Sequence, residues 1–360
     1  MDHSGGDASD SEAGKDAGGN CRDAATFVPP SIHLEALLSG YSYAHYAPIP
    51  EQVSVRKDDE GVEGTECVIG IDEAGRGPVI GPMVYSAFFL PSGLHHTLLA
   101  NTHHFDDSKV LTAAVRADLM QSLCRPNSDL HKSCGWAVKS LNARDIGAGM
   151  LRNGGSYNLN AQAMDATVEL IKGVLEMGVN VTETYIDTIG NPAAYQKKLE
   201  RIFPTIKIVV EKKADSLYPC VSAASVVAKV TRDISCEMLF ADWAKSNEVV
   251  TASEDKTWGS GYPSDARCVI WLKSHMDSLF GWGNECRFSW GTVKEILDQK
   301  ELAAIKVDWP SETGDDDEDV NNMRVSDYFS SAPGSKNSTA DTEADQLRDW
   351  YGTSVETKIF

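Results

Sequence analysis

Apolar residues in the middle of the chain form short runs that predict strands and longer periodic stretches that predict helices. The first three runs are ECVIGIDE from Glu66, GPMVYSAFFLP from Gly81 and CGWAVKSLN from Cys134. Their β-branched and aromatic residues are typical of strands, and their spacing predicts that short turns join them. Two later runs, VTETYID from Val181 and TIKIVVEKKAD from Thr205, predict two more strands.

Helical periodicity separates and follows the later strands. An amphipathic stretch from Leu159 is stopped by Gly178, a second stretch covers 193–203, and a long one starts at Pro219, a residue favoured in the first turn of a helix. Further helical patterns follow the turn-rich segment WGSGYPSD at 258–265. Because hairpin turns give antiparallel pairs and helical crossovers give parallel ones, this order predicts an α/β fold with a mixed sheet flanked by helices.

The two ends of the chain differ in composition from this middle part. The first thirty residues have almost no apolar side chains, and the chain after Trp309 is again polar and contains the run GDDDEDV, so both ends are predicted to be disordered. The expected organisation is a disordered tail at 1–30, a lead-in segment at 31–63, a catalytic domain at 64–245, a helical extension at 246–305 and an acidic disordered tail at 306–360.

The net charge of −20 at first argues against a nucleic-acid partner. However, the charge is concentrated at the ends, because residues 1–63 hold 12 acidic and 4 basic side chains and residues 300–360 hold 14 and 6. The part between them is close to neutral and is able to present a basic face to a nucleic acid.

The eight cysteines form no C-x-x-C pair, and no histidines cluster with them. No apolar run approaches the ~20 residues of a membrane span. Since the sequence also shows no signal peptide, we expect reduced thiols in a soluble intracellular protein.

Three aspartates share one context. Asp72, Asp187 and Asp215 each lie at or just beyond the C-terminal end of a predicted strand, and Glu73 adds a fourth carboxylate beside the first. Ligands of open α/β sheets bind outside those strand ends. Four oxygen donors without histidine or cysteine suit a hard cation, Mg²⁺ or Mn²⁺, and two such ions ~4 Å apart act in phosphodiester cleavage. Each acid alone is also typical of a solvated strand end, but the shared position favours a metal site.

Two turn-rich segments add features that suit a nucleic-acid ligand. Gly75, Arg76 and Gly77 directly follow the acid pair, and glycines let a backbone approach a phosphate or a ribose hydroxyl closely while arginine adds positive charge. Tyr262 lies in a Gly/Pro turn, where an exposed aromatic ring is able to stack on a sugar or base. Either segment alone is more typical of an ordinary turn.

Six motifs in the same order along the chain resemble those of type 2 ribonuclease H. They are DEAGRGP from Asp72, DSK from Asp107, YNLN from Tyr157, YIDT from Tyr185, KADSLYPCVSAASVVAKVTRD from Lys213 and GSGYPSD from Gly259. The similarity covers about 66–300 and is strongest to catalytic subunits of the eukaryotic heterotrimeric enzymes.

The resemblance implies a ribonuclease H-like fold with a C-terminal helical extension. It implies endonucleolytic cleavage of the RNA strand of RNA–DNA hybrids and incision 5′ of single ribonucleotides in duplex DNA, giving 3′-hydroxyl and 5′-phosphate ends. It further implies two Mg²⁺ or Mn²⁺ ions, two auxiliary subunits, a nuclear location, and roles in ribonucleotide excision and in removal of replication primers.

The same resemblance assigns roles to individual residues. The family's metal-site acids fall on the four carboxylates named above, and its hydroxyl-reading loop falls on Gly75, Arg76 and Gly77. Its junction-sensing tyrosine, which stacks on a deoxyribose, falls on Tyr262. Lys109 and Ser222 are expected to contact the substrate backbone, whereas Ser225 is expected to face the helix packing. Ser156 stands where relatives often carry a basic residue, so no phosphate contact is expected there.

The polar tail contains one apolar segment, NMRVSDYFS at 322–330. Val325, Tyr328 and Phe329 fall on one face of a single helical turn, which is typical of a segment that folds on binding. The spacing resembles the sliding-clamp-binding box of replication proteins, with Asn322 where that box usually has glutamine.

Two other functions stay open on the sequence. One is a two-metal DNA nuclease or a transposase-like enzyme of the same fold, although such an enzyme has no use for a hydroxyl-reading loop. The other is an inactive scaffold subunit, which is expected to have lost at least one of the four acids, whereas all four are present.

Overall fold

The computed structural model describes residues 27–55, 63–105, 111–152, 157–188, 190–247, 258–299, 304–305, 307–308 and 353–354. Eight strands lie in these residues: β1 (Tyr43–Tyr46), β2 (Glu66–Ala74), β3 (Met83–Pro91), β4 (Gly135–Leu141), β5 (Asn180–Asp187), β6 (Lys207–Glu211), β7 (Val307–Asp308) and β8 (Thr353–Ser354). The first six form one sheet in the order β1-β4-β3-β2-β5-β6, and β7 pairs with β8 separately.

Nine α-helices lie in the described residues and cover both faces and one end of the sheet. They are α1 (Leu34–Leu38), α2 (Ala113–Cys124), α3 (Asp129–Ser133), α4 (Ala143–Met150), α5 (Leu159–Glu176), α6 (Pro192–Ile202), α7 (Pro219–Ser246), α8 (Ala266–Ser274) and α9 (Gly291–Leu297). None of the described helices is long and apolar enough to cross a membrane.

The sheet is mixed, as the sequence predicts. Strand β2 pairs antiparallel with β3 and parallel with β5, while β5 pairs parallel with β6. The parallel pairs are joined by helical crossovers, and the α5 helix ends before Gly178, whose φ of +87° suits the left-handed turn that stops it. The five predicted strands and the predicted helices at 159–178, 193–203 and from Pro219 are confirmed.

Two features of the fold differ from the prediction. The connection from β3 to β4 is not a short turn, because a 3₁₀ turn (Ser92–Leu94), a π-helical turn (Thr97–Thr102), α2 and α3 lie between them. Helix α2 buries only Met120 and Leu123 and leaves Val115 exposed, so its apolar residues give no clear periodicity. The lead-in segment also supplies the edge strand β1, which pairs with β4. The predicted domain boundaries stay a prediction.

The core forms on both faces of the sheet because successive side chains of β2 point to opposite sides. Val68 packs in the cluster that includes α7, and Ile69 packs in the cluster that includes α5. Helix α7 begins directly on the sheet at Gly70, where an added Cβ would lie 2.2 Å from the Cys220 carbonyl carbon. This close approach brings the start of α7 beside the end of β2.

A third apolar cluster joins the C-terminal helices to the loop between β2 and β3. Residues of α8 and α9, among them Leu272 and Val293, pack with the second half of α7 and with Val79 and Ile80. The helical extension therefore supports the loop that follows the acid pair.

Candidate active site

The sheet register brings the strand-end carboxylates to one edge. Ile71 of β2 is paired with Ile186 of β5, so the next residues, Asp72 and Asp187, reach the same level of two parallel neighbours. Asp215 lies in the 3₁₀ turn that follows β6, which is the next strand outward. Together with Glu73, these acids line one cleft of about 800 Å³.

Local hydrogen bonds fix the position of these carboxylates. Asp187 Oδ1 accepts from the Ala214 amide at 2.9 Å, which ties the end of β5 to the turn that carries Asp215. That turn is preceded by Lys213, which has a left-handed backbone with φ of 60°. On the other side, Asp72 Oδ1 accepts from the Glu73 amide at 2.8 Å.

The acids share a buried and strongly negative environment. Burial raises the pKa of Asp72 well above its usual value, the charges of Glu73 and Asp187 raise it further, and the Ser225 hydroxyl lowers it by hydrogen bonding to the carboxylate. Burial raises the pKa of Glu73 to about 7, with Asp187 and Asp215 adding to the shift and Arg76 opposing it. The carboxylates therefore resist full ionisation while no cation compensates them.

This donor set fits hard divalent cations. All four side chains offer carboxylate oxygens, which Mg²⁺ and Mn²⁺ prefer, and a bound cation would relieve the repulsion that raises the pKa values. Across the described residues, no three His, Cys, Asp or Glu side chains are already closed around an ion position. The carboxylates thus line an open cleft, as a site needs if its ions are to share ligands with a substrate phosphate.

The opposite wall of the cleft is the loop at 75–77. Gly75 has φ of +77°, and an added Cβ would lie 2.6 Å from the Pro82 carbonyl oxygen, so a larger residue fits here neither by backbone nor by space. Gly77 is exposed, and an added Cβ there would lie 3.1 Å from the Tyr262 ring. The loop and the tyrosine therefore form one continuous surface.

Side chains from the C-terminal extension hold this loop from behind. Arg287 is fully buried and donates from Nη2 to the Gly75 carbonyl at 2.6 Å and from Nη1 to the Arg76 carbonyl at 2.9 Å. It also donates from Nε to the Gly81 carbonyl at 3.0 Å, and Trp290 Nε1 donates to the Gly77 carbonyl at 3.0 Å. Burial lowers the pKa of Arg287 to about 9, so its guanidinium remains charged at neutral pH.

The orientation of the loop amides follows from these contacts. In a planar trans peptide, the carbonyl and the following N–H point in opposite directions. Because Arg287 takes the carbonyls of Gly75 and Arg76, the amides of Arg76 and Gly77 point away from it. The loop thus offers two fixed N–H donors on the side away from Arg287, which is a suitable arrangement for a phosphate or hydroxyl oxygen.

Sequence reasoning missed several cleft residues. Arg287 and Trp290 were not singled out, and a pattern of apolar positions gives no signal for an arginine buried against carbonyls about 210 positions earlier. The cleft is also lined by Lys229, Arg232 and Asp233 from α7. Arg232 donates from Nη2 to the Ser260 carbonyl at 2.8 Å and so supports the turn that carries Tyr262.

The remaining predicted site residues fall in different places. Ser225 lines the cleft and hydrogen-bonds to Asp72, so the expectation that it only packs in the helix is wrong. Ser222 is fully buried in α7 and is not among the residues that line the cleft, so its substrate role stays a prediction. Tyr262 is 41% exposed and lines the cleft. Lys109, Ser156, Val325, Tyr328 and Phe329 lie outside the described residues.

Comparisons with known proteins agree with this geometry. The family model for ribonuclease HII matches residues 69–293. The chain is 52% identical over 340 residues to a ribonuclease H2 subunit of Neurospora crassa, covering 94% of this chain and 98% of the relative. It is 38% identical over 263 residues to the human ribonuclease H2 subunit of the same name, covering 73% and 82%.

A solved structure shares the fold as well as part of the sequence. Ribonuclease HII of Archaeoglobus fulgidus, solved in a complex with PCNA, is 28% identical and has a TM-score of 0.51 over 65% of this chain and 97% of its own. The matched family segment spans the acidic edge, the glycine loop and the C-terminal residues that hold the loop. The chain therefore belongs to the ribonuclease HII family, and it is a ribonuclease H endonuclease.

Proposed function

We propose that this protein hydrolyses the RNA strand of RNA–DNA hybrids and also incises duplex DNA on the 5′ side of a single ribonucleotide. One observation carries the proposal: the four carboxylates, the 75–77 loop and Tyr262 line one cleft. An acidic edge alone suits any phosphodiesterase, whereas a loop with oriented amides suits recognition of a ribose hydroxyl. A nuclease that acts only on DNA has no use for such a loop.

The acids would hold two divalent ions, Mg²⁺ or Mn²⁺, between Asp72, Glu73, Asp187 and Asp215. The chemistry that such ions supply when bound is activation of a water for attack on phosphorus and stabilisation of the leaving 3′-oxygen. The reaction leaves a 3′-hydroxyl and a 5′-phosphate. Buried on one sheet edge and fixed by backbone amides, the carboxylates keep their geometry without a substrate.

The loop supplies selectivity. The amides of Arg76 and Gly77 would pair with the 2′-hydroxyl and the adjacent phosphate, and the Arg76 guanidinium would add a charge-assisted contact. A site that is built to hydrogen-bond a hydroxyl rejects a sugar that lacks it, because its own polar groups are then left unpaired. Tyr262 would stack on the deoxyribose at the junction that follows a lone ribonucleotide.

The proposal is tested with three duplexes of the same sequence: all-DNA, one ribonucleotide, and RNA–DNA hybrid. Each is incubated with the purified enzyme complex in Mg²⁺, Mn²⁺ or EDTA. We expect cleavage of the two ribonucleotide-containing duplexes with either ion and none in EDTA. Cleavage of the all-DNA duplex at a comparable rate would contradict the hydroxyl-reading role of the loop.

We further propose that the chain works as the catalytic subunit of a heterotrimer with two auxiliary subunits, located in the nucleus. Relatives that are named as one subunit of ribonuclease H2 support assembly with other chains. Exposed apolar side chains in the C-terminal extension are suited to docking: Ile270 is 64% exposed, Leu279 61% and Phe280 77%. Acidic substitution of Phe280 should weaken assembly, measured by size-exclusion chromatography of the co-expressed subunits.

A weaker contact with the sliding clamp is proposed for the tail segment at 322–330. The archaeal ribonuclease HII whose fold matches was solved in a complex with PCNA, which gives the proposal a precedent. A peptide spanning 318–333 should bind the clamp with an affinity on the order of micromolar. Alanine at Tyr328 and Phe329 should abolish the heat of binding in calorimetry, and a wild-type peptide that gives no heat would contradict the proposal.

A further inference from the structure

Arg76 lies between two cavities. It lines the active cleft and also a second recess of about 470 Å³, which is enclosed by residues of β2, β3, α5 and α6. Within this wall, the guanidinium is directed toward α5. Its Nη2 donates to Asn160 Oδ1 at 2.5 Å, and its Nη1 lies 3.5 Å from the Tyr85 hydroxyl.

The two contacts differ in strength. A donor–acceptor distance of 3.5 Å is at the outer limit of a hydrogen bond, whereas 2.5 Å between a charged donor and an amide oxygen is a short contact. Asn160 is therefore the principal tether of the guanidinium. A free arginine side chain has many rotamers, and a single strong contact near its end removes most of that freedom.

Both ends of this tether are themselves fixed. Asn160 lies in the first turn of α5, where its amide donates to the Asn158 side chain at 3.0 Å and the Ala161 amide donates to the same oxygen at 3.1 Å. This is a helix cap, which holds the backbone of the first turn in one conformation. The backbone of Arg76 is held by Arg287 through its carbonyl. The contact therefore joins two rigid elements.

We infer that Asn160 is a positioning residue that holds the Arg76 guanidinium ready for the phosphate beside the recognised ribonucleotide. The inference rests on the proposed substrate role of the 75–77 loop. A guanidinium has five N–H donors, so the bonds to Asn160 and Tyr85 leave donors free for a phosphate oxygen. Because the side chain is ordered before the substrate arrives, less conformational entropy is lost on binding.

The consequence is a specific kinetic effect. Removal of the Asn160 carboxamide frees the guanidinium without removing its charge, so binding weakens while the acids that perform hydrolysis stay in place. Asn160→Ala should lower kcat/KM about tenfold, as expected for one charge-assisted hydrogen bond, with the loss appearing in KM. The readout is steady-state cleavage of the one-ribonucleotide duplex by the purified complex.

A double-mutant cycle with Arg76→Ala separates positioning from other roles. If Asn160 acts through Arg76, Asn160→Ala should have no further effect on KM once Arg76 is alanine. Equal effects of Asn160→Ala in both backgrounds would overturn the inference, because they would mean a direct substrate contact or a structural role. Near-normal kinetics of Arg76→Ala alone would overturn the proposed role of the loop as well, so the two failures are distinguishable.

A matched control comes from the other rim of the recess. Asn191 accepts from the Ala194 amide at 3.3 Å as the cap of α6, and it has no hydrogen bond to Arg76 among the described contacts. Asn191→Ala removes the same carboxamide and costs helix stability, so it should lower the melting temperature but leave KM unchanged. A rise of KM in Asn191→Ala equal to that in Asn160→Ala would show that general loosening of the recess explains both, which would also overturn the inference.

Discussion

The two walls of the cleft are built by different means. On the acidic wall, the side chains are placed by the strands that carry them and by amides of neighbouring residues, as in the Asp72–Glu73 and Asp187–Ala214 contacts. On the loop wall, the backbone at 75–77 is held by Arg287 and Trp290, which follow it by more than 200 positions. The acidic wall is thus a product of sheet register, and the loop wall is a product of long-range side-chain contacts.

This difference separates chemistry from selectivity. The acids need only a fixed arrangement and a compensating cation, and a six-stranded sheet provides the first without help from distant segments. Oriented amides have a stricter requirement, because a loop without supporting contacts samples other conformations. Damage to the acidic wall should therefore stop hydrolysis on every substrate, whereas damage to the loop wall should reduce discrimination between substrates.

Asp187→Asn should have the largest effect of any change considered for the acidic wall. A neutral amide binds divalent ions poorly, so cleavage of both the hybrid and the one-ribonucleotide duplex should fall on the order of a thousandfold, the equivalent of several kcal/mol of lost charge stabilisation. The metal-free variant should melt no lower than the wild type, because one repelling charge is removed. Initial rates at saturating Mg²⁺ and melting curves in EDTA provide the measurements.

Asp118→Asn is the matched control, since this exposed aspartate of α2 makes the same chemical change far from the sheet edge. It should leave both rates and the melting temperature unchanged. Turnover near the wild-type rate by Asp187→Asn would mean that this acid has no part in the metal site.

Arg287→Lys should break the loop wall with the next largest effect. Lysine keeps the charge but lacks the planar fork that reaches three carbonyls, so buried acceptors lose their partners at a cost of about 3 kcal/mol of unfolding free energy. We expect a lower melting temperature and a fall of about a hundredfold in kcat/KM on the one-ribonucleotide duplex. Arg144→Lys, at a surface pair with Asp145, controls for the change of residue type.

The comparison of the two substrates makes this test informative. If the loop wall carries selectivity, Arg287→Lys should narrow the difference in rate between the one-ribonucleotide and the all-DNA duplex. An unchanged ratio with uniformly lower rates would show that Arg287 supports the fold alone.

The contrast between the walls also explains what the sequence could predict. Asp72, Asp187 and Asp215 follow apolar runs, and strand direction alone brings such ends together, so the acidic edge was predictable from the pattern. The two-residue alternation of β2 and the capped, periodic α5 were predictable for the same reason. These features depend on short-range order in the chain.

Features that depend on long-range contacts were not predictable in the same way. The side chain of Arg287 looks like an ordinary surface arginine in the sequence, because only the fold shows that it meets carbonyls of the loop. Helix α2 lacks a periodic apolar face, and β1 is a four-residue edge strand with little apolar content on which to base a prediction. The sequence indicates only packing for Ser225 because its neighbours in α7 are buried small residues, which conceal the contact with Asp72.

Tyr262→Ala should have a smaller effect that is confined to one substrate. Incision at a lone ribonucleotide requires a fit to the following deoxyribose, so kcat/KM for that duplex should fall about tenfold, as expected for the loss of one stacking contact. Cleavage within a continuous RNA strand should change little, since no junction sugar has to be fitted. Tyr41→Ala, at another exposed tyrosine that packs on Arg144, is the matched control. Equal losses on both substrates would leave Tyr262 with a structural role only.

The smallest expected effect is a dependence of stability on pH that belongs to the acidic wall alone. The pKa of Glu73 is raised from 4.5 to about 7 by burial and by neighbouring acids, and that of Asp72 is raised in the same direction. Between these values the folded protein binds more protons than the unfolded chain, so without metal the unfolding free energy falls as pH rises from about 4.5 to about 7.

Melting curves in EDTA at about pH 5 and about pH 7.5 measure this effect by comparing the wild type with Glu73→Gln. Burial lowers the pKa of His95 to about 4 and lowers that of His45, so these histidines stabilise the protein as pH rises, but they do so equally in both proteins. The difference between the two proteins therefore isolates Glu73. The wild type should lose a few degrees relative to Glu73→Gln at the higher pH, and Mg²⁺ should restore them. Parallel pH profiles of the two proteins would show that the acidic wall carries no such charge repulsion and would remove the main physical reason for assigning metal ions to it.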